Sequence, residues 1–107
     1  MSFDINAAIE AYSHSMGNRP EELAEYCAEH GVAERENEIR TAIETMQGEV
    51  FDTISKRTRT SGPMSATEIE TLATEHCRVS VPEVDEAGVR GLLRWIVWMA
   101  WHEGCMK

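Results

Sequence analysis

Nine of the ten residues from Leu92 to Trp101 are apolar, Arg94 being the exception, and all three tryptophans of the chain fall inside this stretch. No Gly or Pro interrupts it, and it lies between a good N-cap, Asp85, and Gly104, so it reads as a helix. On that helix Val89, Leu92, Leu93, Ile96, Met99 and Ala100 share one face, while Trp95, Trp98 and His102 turn to another. A helix that is apolar around most of its circumference is either a central core helix or one whose second face meets a partner. The run is about half of the ~20 residues that a membrane-spanning helix needs, so the expectation is a soluble protein with no membrane partner. The N-terminal residues lack the basic and apolar regions of a secretory signal, which adds the expectation of a cytoplasmic location.

The rest of the chain supplies elements to pack against this helix. Asp4 is placed to cap a first helix from Ile5 to about Met16, with Gly17 as its left-handed stop. Pro20 suits the first position of a second helix, Glu21 and Glu22 favour its positive end, and Gly31 closes it. Ile39, Ile43, Met46, Val50 and Ile54 recur at helical spacing, predicting one long amphipathic helix from Ala33 to about Arg59, with a bend near Gly48. Lys56, Arg57 and Arg59, the one basic cluster, sit where they complement the negative end of that helix. Ser65 and Glu68 form a capping box that opens a fourth helix to about Cys77. Arg78 to Val84 alternates apolar and polar residues, but Pro82 makes it an extended connector rather than sheet. Gly88 and Gly91 would let another helix approach the start of the last one closely. With 107 residues, 42% of them hydrophobic, the sum is a single all-α domain of about five helices, a bundle or orthogonal array around the tryptophan helix.

Charge narrows the function. Nineteen acids against ten bases give a net charge of −9, and residues 1–55, with twelve acids and three bases, carry a net −9 of their own. That excess disfavours direct binding to nucleic acid and favours a basic partner. The last two helices have the outline of a helix-turn-helix, but the seven-residue connector is long and the final helix too apolar for a groove. Glu22, Glu25 and Glu29 fall on one face of the second helix, and Glu34, Glu36 and Glu38 follow directly, so the two segments can present a row of carboxylates to a basic protein. Pairs such as Glu21 with Glu25 read more simply as a solvated helix face than as acid and base.

The three cysteines, odd in number and irregular in spacing, make no disulfide framework and read as reduced thiols. Each has a histidine near it: Cys27 with His30, His76 beside Cys77, and His102 with Cys105. Spacing of three places a pair on one helix face, as metal ligands or as nucleophile and base require, yet Cys-x-x-Cys is absent and no third orienting group is evident. The simpler reading is thiols packed in helix stripes, with no metal, no cofactor and no catalytic residue. What emerges is a non-enzymatic acidic interaction protein that binds a basic, nucleic-acid-handling protein surface. Some phage-encoded inhibitors share this composition, a likeness of character rather than of family. The alternatives are a homodimeric structural or regulatory protein joined through Trp95, Trp98 and Trp101, and a small protein or enzyme using the Cys/His pairs for metal.

Overall fold

The computed structural model describes residues 3–107, and among them five α-helices and one short 3-10 turn form an all-α domain. The helices are α1 (Ile5–Tyr12), α2 (Pro20–Glu29), α3 (Glu36–Ser61), α4 (Ala66–Ser80) and α5 (Glu86–His102), with the 3-10 turn at Ala33–Arg35. One hydrophobic core runs through all five, drawing Ile9 from α1, Leu23 from α2, Ile43 and Ile54 from α3, Ile69 from α4, and Leu92 and Ile96 from α5. No helix among the described residues is long and apolar enough to cross a membrane.

Most helix starts follow from local chemistry. The Asp4 carboxylate accepts the Asn6 N–H at 3.0 Å, and Asp85 accepts those of Ala87 and Gly88, each satisfying N–H groups that have no partner within their helix. Ser65 and Glu68 form the reciprocal box: the Ser65 hydroxyl accepts from the Glu68 N–H at 3.1 Å, and the Glu68 carboxylate from the Ser65 N–H at 3.0 Å. These bonds from Ser65 hold the Glu68 carboxyl below its ordinary range. Ser65→Ala is therefore expected to lower stability by about 0.5–2 kcal/mol in urea melts near neutral pH. A carboxyl held down in the folded state stabilises above its unfolded pKa and stops doing so as pH falls through the folded one. The Ser65 N–H, the larger of the two influences, survives in the alanine variant, so only the smaller part due to the hydroxyl is lost and the gap between wild type and variant should narrow only slightly below about pH 4.

Three boundaries depart from the sequence expectation. Helix α1 stops at Tyr12 rather than near Met16, because Ser13 is pulled inward: its hydroxyl accepts from Gln47 of α3 at 2.8 Å, and both side chains are buried. The left-handed residue of the following turn is the exposed Met16, with φ 69°, rather than Gly17. Helix α3 starts at Glu36 rather than Ala33, because residues 33–35 form the 3-10 turn instead. Helix α4 continues through Arg78, Val79 and Ser80, leaving a five-residue connector in place of the seven expected. The stop is set by Pro82, which disfavours helical geometry at Val81, where φ is −142° and ψ 73°.

Candidate functional site

Helix α5 resolves the fork posed by its sequence. Ile96, Leu92, Val89 and Ala100 are buried against the other helices, whereas the indoles face outward or lie at the edge. Trp95 is half-buried, edge-on to Phe51 of α3 with ring centroids 6.3 Å apart. Trp98 is half-buried and stacks on His102 one turn later at 4.9 Å. Trp101 is 64% exposed. None of the three is sealed in the core, so α5 keeps an uncovered apolar face.

That face includes a shallow depression of about 330 Å³ lined by Ser15, Arg94, Val97, Trp98, Trp101 and Met106. Met106 reaches it because the end of the chain is held by a parallel bridge to the loop before α4: the Met64 N–H donates to Cys105 O at 2.8 Å and the Lys107 N–H to Met64 O at 2.9 Å. Sequence alone carried no local signal for Met106 or for Ser15, since both depend on contacts distant along the chain. Arg94, the single charge in the apolar run, lies along α1, donating to Glu10 O at 3.3 Å, with the Glu10 carboxylate 3.8 Å away.

The acidic residues sit on the other side of the end of α1. Glu22, Glu25 and Glu29 line a groove of about 340 Å³ together with Ala11 and Tyr26. Glu22 is countered by Arg19 at 3.1 Å, but Glu25 and Glu29 have no cationic nitrogen within 4 Å among the described residues. Of the expected continuation, Glu34 is exposed, Glu38 is exposed and paired with Arg35 at 3.3 Å, and Glu36 is half-buried, with its charge acting on the Cys27 thiol.

Residues 11–15 border both features: Ala11 lines the α2 groove and Ser15 the α5 depression. On the α2 side His14 Nε2 lies 3.7 Å from Glu22 Oε2; on the α5 side the Ser15 hydroxyl donates to Arg94 O at 3.2 Å. This segment is anchored from beneath: Gln47 donates to Ser13 Oγ and to Asn18 Oδ1, both at 2.8 Å, and accepts from Asn18 Nδ2 at 2.9 Å. Tyr12 donates to Glu44, and burial together with that carboxylate raises its pKa to about 12.

The cysteine and histidine pairs do not converge. His30 stacks on Tyr26 at 4.1 Å, His76 lies 3.1 Å from Glu49 of α3, and His102 covers Trp98. No three His, Cys, Asp or Glu side chains gather to hold a metal ion among the described residues. Cys27, Cys77 and Cys105 are buried, and burial raises the Cys27 and Cys77 thiols, opposite to the lowered pKa of an activated nucleophile. A further recess, about 510 Å³ between α4 and α5, sets Arg78 and Arg90 among Glu70, Asp85 and Glu86, a mixture with no net preference for one ligand charge. No family model, characterised protein or solved structure matches the chain.

Proposed function

We propose that this chain is a non-enzymatic protein-interaction module, an acidic helical inhibitor or adaptor that binds a basic protein surface of the kind nucleic-acid-handling proteins present. The observation that carries the proposal is that one segment, residues 11–15, borders both the uncovered indole face of α5, at Ser15, and the groove of α2 that holds Glu25 and Glu29, at Ala11. Tryptophan at a desolvated contact is a common anchor of binding energy. Glutamates at its margin add long-range attraction and select against anionic surfaces.

A second reading, a homodimer through Trp95, Trp98 and Trp101, draws support from the apolar rim, where the one charge inside the run, Arg94, is met by Glu10 of the same chain. Salt separates the two. Retention of a basic partner from host extract by the immobilised domain is expected to fall at least about tenfold between roughly 50 and 300 mM salt, because exposed charges are screened over that range. It should also be lost in the Glu25→Lys/Glu29→Lys variant. Retention that stays flat with salt would count against the acidic module, and sedimentation as a salt-insensitive dimer, returned to monomer by Trp98→Glu, would favour the homodimer.

A further inference from the structure

We infer that the segment this surface receives is a basic amphipathic helix, seated with its apolar stripe on Trp98 and Trp101 and its lysines or arginines directed at Glu25 and Glu29, an assignment that rests on the interaction reading above. The two halves of the surface differ in chemistry. The α5 depression is walled by Val97, Trp98, Trp101 and Met106, whereas the α2 groove is walled by carboxylates beside Ala11 and Tyr26. Two of the cations near the surface already face carboxylates, Arg94 along Glu10 and Arg19 to Glu22.

The fold selects the conformation of that segment. Strand addition needs a sheet edge with unpaired backbone groups, and the only β-pairing among the described residues is the isolated bridge between Met64 and Met106. A helix brings its own hydrogen bonds, and one of about 18 residues is about 27 Å long, more than the roughly 14 Å of chain that can lie between Ala11 at the groove and Ser15 at the depression. Residues three and four apart on it form one apolar row, and long basic side chains beside that row reach a carboxylate without burying their charge.

The test uses the full chain and four peptides of about 18 residues. The first is a leucine–lysine peptide with leucines at helical spacing; the others are a scramble of it, a version with a central proline, and one with aspartate for lysine. Binding is followed by titration calorimetry at low salt. The amphipathic peptide should bind at least about tenfold tighter than the other three, and Trp101→Ala and Glu25→Lys/Glu29→Lys should each weaken it about tenfold or more, with circular dichroism confirming that both variants keep their helices. Equal affinity for the scrambled or proline peptide would overturn the inference, since charge alone would then suffice. No effect of Trp101→Ala would overturn it too, by placing the contact elsewhere, and so would a stable dimer released by Trp98→Glu, because a second copy would already fill the face. If the peptide fails while basic proteins are still retained in a salt-sensitive way, the helical partner falls and the interaction module stands; if both fail, both fall.

Discussion

Truncation of Ile96 to alanine is expected to lower the unfolding free energy by about 2–5 kcal/mol, while Trp101→Ala, five residues further along α5, should change it by no more than about 0.5 kcal/mol. Ile96 is fully buried and Trp101 is 64% exposed, although the larger side chain would lose far more apolar surface if both were enclosed. Deleting three buried carbons removes their transfer free energy and leaves a hole that the packed helices close only in part. Deleting an indole that already faces water removes little that folding had gained. Domains of this size are commonly stable by about 5–15 kcal/mol, so the Ile96 change consumes a large share of the whole. Urea denaturation followed by helical circular dichroism measures both. A Trp101→Ala loss as large as that of Ile96→Ala would mean that the outer face of α5 is core, and the interaction surface would lose its basis.

The second large effect concerns the place where α1 crosses α5. A Cβ at Gly91 would stand 2.8 Å from Ile9 Cγ2 and 3.4 Å from the backbone nitrogen of Glu10. Gly91→Val adds that carbon and two more, so α1 has to lift from α5, and we expect a loss of about 1–3 kcal/mol. Glycine inside a helix is ordinarily a weakness, and its replacement by alanine ordinarily a gain of about 0.5–1 kcal/mol. Gly48 on the outer face of α3, where a Cβ would meet nothing within 4 Å, supplies the control. Gly48→Ala is expected to stabilise the protein by about 0.5–1 kcal/mol and Gly91→Val to destabilise it. Each kcal/mol corresponds to about 4–8 °C in melting temperature for a small domain, well within the precision of a thermal melt. Because Ile9 Cγ2 is the main obstacle, the combination with Ile9→Ala, which removes that carbon, should cost less than the sum of the single changes, and strict additivity would place the clash elsewhere.

The features legible in the sequence are those decided within a few residues. Asp4, Ser65 with Glu68, and Asp85 cap helices because the bond each makes is local, and Pro20 and Gly31 bound α2 for the same reason. The buried stripe of α3 followed from periodicity alone. The end of α1 did not, because Ser13 is captured by a residue 34 positions away, and the pattern Arg78-Val79-Ser80-Val81 resembles a strand although α4 simply runs on until Pro82. In the candidate site, the apolar excess of α5 and the glutamates of α2 were both readable. Their adjacency was not, since it depends on α1 lying between them. Nor was the partial burial of Glu36, which depends on how the turn before α3 packs against the domain.

The Gln47 amide has a further consequence for any encounter at this surface. Residues 13–19 have no regular secondary structure, yet Gln47 grips this turn at both Ser13 and Asn18, and Arg19 N–H returns to Tyr12 O at 2.8 Å. The turn is therefore preformed, and a docking partner does not have to freeze it, a step that would otherwise consume about 1–2 kcal/mol of conformational entropy per residue. The bonded amide protons at its two ends, those of Ser13 and Arg19, should exchange with solvent in step with those of α3, and an incoming molecule would meet a rigid ridge rather than a soft loop.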